Sequence, residues 1–173
     1  FRNRTALIDA DVVVYVVGFA GEDAVHSVLD EDGDVLEKFD KKSDANDFME
    51  LLAMQGCMQP RLITDIIPKP EEDVANMLDT TINKIVQLSG STSYMCYLSG
   101  KTNFRNEAAK YQEYKANRKD SVKPIHYNFI REYITENHPT LISDNCEADD
   151  LLAIALYAEF VKTDASGDRL DCE

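Results

Sequence analysis

The stretch Cys146-Glu-Ala-Asp-Asp-Leu-Leu-Ala-Ile-Ala-Leu156 constrains this chain more than any other. Glu147, Asp149 and Asp150 crowd its first turn. Leu151, Leu152, Ile154, Ala155, Leu156, Ala158, Phe160 and Val161 follow, apolar on nearly every face. A helix apolar all round is predicted to be buried, which carries its acidic start into the interior. Glu147 and Asp150, three apart, fall on one face, with Asp149 about 100° round from Asp150. No Lys or Arg follows before Lys162, so no local cation offsets the repulsion. Half-buried carboxylates without partners take up protons or hold a metal. The competing explanation is capping. Acids in a first turn suit the helix dipole, and Asp144-x-x-Glu147 has capping-box spacing. Capping accounts for Glu147 and Asp149 but not for Asp150, at the edge of the apolar run.

A length of 173 residues with 44% hydrophobic content predicts a single domain over residues 1–173 with a sizeable core. No apolar run reaches membrane-spanning length, and no signal peptide is visible. The chain opens on Phe1-Arg2-Asn3-Arg4, as expected of a trimmed start. Cys57, Cys96, Cys146 and Cys172 lie far apart with no C-x-x-C pair; they read as reduced cysteines of a cytoplasmic protein. A net charge of −14 argues at first against a nucleic-acid partner. Its distribution argues the other way. Lys101, Arg105, Lys110, Lys115, Arg118, Lys119 and Lys123 face only Glu107, Glu113 and Asp120 between positions 101 and 123. That segment is net +4 and the rest of the chain −18, an asymmetry that points to a polyanionic partner.

Along the chain, Ala6 to Val17 is β-branched and nearly continuous, predicting a strand buried on both faces. Asp9 and Asp11 interrupt it. A carboxylate at the end of a central parallel strand sits where open α/β sheets bind ligands; Asp9 is the stronger candidate, and Asp11 is equally well read as a turn or cap. His26 to Phe39 holds Asp30-x-Asp32-Gly33-Asp34. A calcium loop needs Gly at its sixth position and Glu at its twelfth, whereas Gly33 is fourth and Lys41 twelfth, so the segment is a surface hairpin. Ser43 to Gly56 predicts a helix, Leu62 to Ile67 a short strand, and Pro70 to Gly90 a helix with a Met/Ile/Leu core stripe. Ser93 to Leu98 is a second buried strand.

Residues 99–103 release the basic segment, 99–124. In Phe104 to Arg118, Tyr111, Tyr114, Lys115 and Arg118 recur at i, i+3, i+4 and i+7. The run is either a solvated charged helix or a strip that stacks a base and grips phosphates. Pro124 starts another helix through Ile134, and Thr140 to Ser143 is a third short strand. The alternation is α/β with a mostly parallel central sheet flanked by helices. There the ends of the first and third strands lie side by side, and Asp9, Glu147, Asp149 and Asp150 share one pocket. Oxygen-only ligands select a hard cation, Mg²⁺ or Mn²⁺, and such pockets chiefly serve phosphate chemistry.

With those residues in place, the chain resembles the 5′→3′ exonuclease and flap endonuclease family, particularly bacteriophage replication exonucleases. The likeness lies in Leu7-Ile-Asp-Ala-Asp11, in Asn103-Phe-Arg-Asn-Glu107 with Tyr114-Lys-Ala-Asn-Arg-Lys119, and in Cys146-Glu-Ala-Asp-Asp-Leu-Leu-Ala153. The blocks stand in the family's order and at about its spacing. The resemblance implies a PIN-like nuclease fold that hydrolyses phosphodiesters at DNA 5′ ends, flaps or branches with two divalent ions and no small-molecule cofactor. Asp9, Glu147, Asp149 and Asp150 match the family's metal-binding carboxylates. Lys115 matches the lysine at the scissile phosphate and Arg118 the arginine beside it. Tyr114 stands where some members stack a base, and Phe104-Arg105 at the start of the helical gateway. Lys101, Lys110, Lys119 and Lys123 complete the basic surface.

The chain departs from the family in three places. Many members carry an Asp a few residues before the Phe-Arg pair, where this chain has Ser99-Gly100-Lys101. Asp168 matches the first acid of the family's later Ser-x-Asp-x-Asp, but Asp171 is three residues on instead of two. The helical DNA-clasping domain is absent, as expected of a fragment. Two rivals remain. Leu7 to Val13 also fits the nucleophile strand of haloacid-dehalogenase-like phosphatases, with Asp9 as covalent nucleophile, though this leaves the Tyr114–Lys119 strip idle. The departures also suit a degenerate nuclease fold that binds branched DNA without cutting it.

Overall fold

The computed structural model describes residues 4–56, 59–105 and 122–161. In chain order these form β1 (Thr5–Asp9), α1 (Ala10–Ala20), β2 (Glu22–Leu29), β3 (Val35–Phe39), α2 (Lys42–Met54), β4 (Arg61–Pro68) and α3 (Glu71–Leu88). β5 (Ser93–Leu98), α4 (Tyr127–Asn137), β6 (Thr140–Ile142) and α5 (Ala148–Val161) follow. The architecture is α/β, with two separate sheets. One is parallel, in the order β1-β5-β6; the other is antiparallel, in the order β3-β2-β4. The expected hairpin is present as β2 and β3. It is joined by a turn in which the Asp30 carboxylate accepts from the Asp32 and Asp34 amides and Gly33 takes a φ of +91°.

The first strand is much shorter than its apolar run suggests. It stops at Asp9, whose Oδ1 accepts from the amides of Asp11 and Val12 at 3.0 and 3.4 Å, capping α1. Past that cap, Ala10, Val13, Val14, Val17 and Gly18 are the buried residues, a helical spacing of i, i+3, i+4, i+7 and i+8. Burial of that stripe outweighs the β-preference of its valines. Gly18 lies so close to Pro124 that a Cβ there would collide with the ring. Val12, Val16 and Phe19 stay exposed, as a strand buried on both faces would not allow.

α1, α3 and α4 cover one face of the parallel sheet. Ala6 and Ile8 of β1 and Cys96 and Leu98 of β5 meet Val14, Val17, Val74, Leu78, Ile82, Ile130 and Ile134 there. The alternate residues Leu7, Met95 and Tyr97 turn to the opposite face, and α5 rests against β1 and β5 without joining that cluster. α5 is not buried all round: Ile154, Leu156 and Tyr157 are 58–67% exposed. Strand order differs from expectation too. β5 lies between β1 and β6, so the first and third strands are not neighbours. All three nonetheless run the same way, and their carboxyl ends form one edge. Among the described residues no helix is long and apolar enough to cross a membrane.

Cys96 is fully buried at the centre of this core, and burial pushes its thiol up to about 11. At pH 8, alkylation of Cys96 should therefore be slower in native protein than in urea-unfolded protein by about 100-fold or more, since burial raises its thiol from 9.0 to about 11, only the thiolate reacts and each unit of pKa is a factor of ten. Peptide mass spectrometry over a reagent time course measures both rates; comparable rates would contradict this packing.

Candidate functional site

The carboxyl edge of the parallel sheet gathers Asp9 at the end of β1 and Asp11 just past it, Ser99 and Gly100 after β5, and the loop 143–147 after β6. Serines and close backbone contacts hold these segments together. Gly100 donates its amide to Ser143 Oγ at 2.9 Å, Ser143 Oγ donates to the Cys146 carbonyl at 2.6 Å, and the Ala148 amide donates to Ser99 Oγ at 3.0 Å. A Cβ on Gly100 would run into the Ser143 carbonyl oxygen, so only glycine allows this approach. Where many members of the resembled family carry an acid, Ser99 instead ties the end of β5 to the start of α5.

Asp11 has a structural role. Its Oδ2 accepts from the Ser99 amide at 2.9 Å, and its Oδ1 receives Arg131 Nη1 at 2.6 Å. Arg131 also donates to the Ser99 carbonyl at 2.6 Å. This lock joins α1, β5 and α4. Arg131 escaped the sequence reading; its signal was a lone cation on an amphipathic helix otherwise free of Lys and Arg.

Asp150 is also partnered, contrary to expectation. The cation comes from 45 residues upstream: Arg105 Nη1 and Nη2 reach Asp150 Oδ2 and Oδ1 at 2.6 and 2.7 Å. This is a two-pronged pair with side chains 31% and 28% exposed. Asp150 Oδ2 further accepts from the Glu147 amide at 2.9 Å, the reach-back half of a capping box. That half of a box spans Glu147 to Asp150, three residues later than the Asp144-x-x-Glu147 spacing. Capping accounts for Asp150 after all. Asn103 spans the same region, donating Nδ2 to Glu147 Oε1 and accepting the Arg105 amide on Oδ1, both at 3.0 Å. The Phe104 ring is 44% exposed and lies 4.9 Å from the Arg105 guanidinium.

Asp9 and Asp149 are left in a different state. Burial raises the Asp9 pKa; the Val12 and Asp11 amides partly oppose this, while the charges of Asp11 and Asp149 raise it further. Asp9, the last residue of β1, therefore feels the charge of Asp149, which is exposed in the first turn of α5, and among the described residues no cation pairs with either. Oxygen-only chemistry and uncompensated charge suit Asp9 and Asp149 to a hard cation. Glu147 and Asp150 do not complete a cage in this arrangement: among the described residues no three of His, Cys, Asp and Glu gather as ligands to one ion. Lys101 is exposed, and Lys123 Nζ lies 4.4 Å from the Tyr127 ring centre. Lys110, Tyr114, Lys115, Arg118, Lys119 and Asp168 lie outside the described residues.

No protein-family model matches the chain, and neither the curated proteins nor the solved structures contain a match.

A carboxyl whose pKa is raised by folding destabilises the native state when ionised. That penalty is present above the folded pKa and vanishes as pH falls below the ordinary value of 3.8. Asp9→Asn keeps an oxygen to cap α1 but removes the charge. In metal-free buffer at pH 7.5 it should unfold at higher urea than wild type, with the gap closing as the pH approaches 4. Asp9→Ala should forfeit about 1 kcal/mol of capping and gain less. A less stable Asp9→Asn at neutral pH would refute the assignment. Separately, Gly100→Ala should cost about 1–3 kcal/mol through overpacking, read by urea denaturation.

Proposed function

We propose that this chain is a PIN-like 5′-nuclease domain, hydrolysing phosphodiesters at DNA 5′ ends or flaps with a divalent cation. The observation that carries the reading is that Asp9, at the end of a parallel strand, feels the charge of Asp149, exposed at the head of α5. Two acids without a counter-cation among the described residues adjoin the point where the basic segment enters at Phe104-Arg105. Acids that tolerate charge repulsion at a sheet's carboxyl edge are poised for a ligand rather than for stability.

Asp9 and Asp149 would hold the cation, which when bound supplies Lewis-acid neutralisation of the phosphate and a more acidic water. The chain's own residues do the rest. Lys115 places a fixed positive charge at the scissile phosphate, and Arg118 orients that phosphate by paired hydrogen bonds. Tyr114 stacks the terminal base, Phe104 offers an exposed ring, and Lys101, Lys110, Lys119 and Lys123 neutralise the backbone on either side.

The test is cleavage of a 5′-flap DNA in Mg²⁺ by wild type, Asp149→Asn and Lys115→Ala. Each substitution should lower the single-turnover rate by about 10²–10³-fold while flap binding at low salt persists. Unaltered cleavage by both variants would reject the reading. One observation favours a second reading, a nuclease fold that binds branched DNA without cutting: Asp150 is engaged by Arg105. Tight flap binding by wild type with no cleavage in either Mg²⁺ or Mn²⁺ would decide for it. An aspartyl-phosphate trapped at Asp9 would point to the phosphatase chemistry instead.

A further inference from the structure

We propose that Arg105 is a built-in counter-cation, which keeps Asp150 from ligating a metal until a nucleic-acid backbone draws the guanidinium away. The inference rests on the nuclease reading and names the regulation of that same site.

Three features of the geometry support it. First, the pair is saturating. Both Asp150 oxygens receive a guanidinium nitrogen, and Oδ2 also accepts the Glu147 amide. A divalent cation brought to Asp150 would meet a positive charge already in contact with it, in a half-buried setting where screening is weak. Second, the backbone around Arg105 is anchored independently of its side chain. The Phe104 amide donates to the Asn145 carbonyl at 3.1 Å, the Arg105 amide donates to Asn103 Oδ1, and Asn103 Nδ2 holds Glu147. Withdrawal of the guanidinium can therefore leave that backbone in place, with the Phe104 ring beside it. Third, the planar fork that matches a carboxylate matches a phosphate equally well. Arg105 lies in the segment where this acidic chain concentrates its positive charge. A DNA phosphate competes for Arg105 with like geometry, and its arrival frees Asp150 to join Asp9 and Asp149. Backbone and metal then bind cooperatively, and the coupling is reciprocal.

The experiment measures Mn²⁺ binding by the loss of the free-ion EPR signal, with flap DNA carrying an uncleavable methylphosphonate linkage as the second ligand. Wild type, Arg105→Gln, Arg105→Lys and Asp149→Asn are compared, with far-UV circular dichroism to verify folding. Without DNA, Arg105→Gln should bind Mn²⁺ about tenfold more tightly than wild type. Arg105→Lys should fall between, because it retains the charge without the fork. Added DNA should tighten Mn²⁺ binding to wild type by a similar factor and leave Arg105→Gln nearly unchanged. Equal or weaker Mn²⁺ binding by Arg105→Gln, or equal DNA enhancement in both proteins, would overturn the role of Arg105. The nuclease reading would then stand, provided that the tight site is lost in Asp149→Asn. If wild type and Arg105→Gln take up no Mn²⁺ that Asp149→Asn does not, the metal site itself fails and this proposal with it.

Discussion

Like charge packed against the carboxyl edge of a three-stranded parallel sheet is the constraint on which the rest of this structure depends. β1, β5 and β6 run in one direction, so the segments that leave them meet at one end, and those segments carry Asp9, Asp11, Glu147, Asp149 and Asp150. Each acid is accommodated differently. Arg131 neutralises Asp11, Arg105 neutralises Asp150, and Asn103 bonds Glu147. Asp9 is supported by two backbone amides, and no cation among the described residues pairs with it or with Asp149. The edge therefore divides into acids that hold the fold together and acids without a counter-cation among the described residues, of which Asp9 carries a burial penalty and Asp149 is exposed.

That division explains why Ser99 and Gly100 matter. An acid at that point would add to an edge already short of counter-cations. Ser99 uses its hydroxyl, amide and carbonyl to bind Ala148, Asp11 and Arg131, and Gly100 lets the loop after β5 lie against Ser143. These two residues thus serve as a joint between β5 and the acidic helix. Through that joint, the position of Asp149 depends on β5 as well as on its own helix.

Much of this was legible in the sequence because most elements carry their own punctuation. Ser93 to Leu98 stands in the structure as β5 with the bounds its apolar and aromatic run predicts. The helix after Pro70 and the hairpin around Gly33 follow from turn and cap chemistry. The valines after Asp9 misled because they satisfy two periods at once: a continuous apolar run also contains the helical stripe Ala10, Val13, Val14 and Val17, and the cap at Asp9 selects it. The acidic cluster was legible as residues but not as a circuit. Arg105 lies 45 positions before Asp150, and Arg131 lies 120 after Asp11; no local spacing rule connects such pairs. Tertiary placement alone decides which carboxylates are neutralised and which are not.

The central claim is that Asp9 and Asp149 together form the acceptor for a hard cation. Diffraction from crystals soaked in Mn²⁺, recorded for its anomalous signal, tests this most directly. The account predicts a peak bridged by carboxylate oxygens of Asp9 and Asp149, directly or through one water. A peak confined to surface acids such as Asp30, Asp32 and Asp34, with none between Asp9 and Asp149 at saturating Mn²⁺, would contradict it.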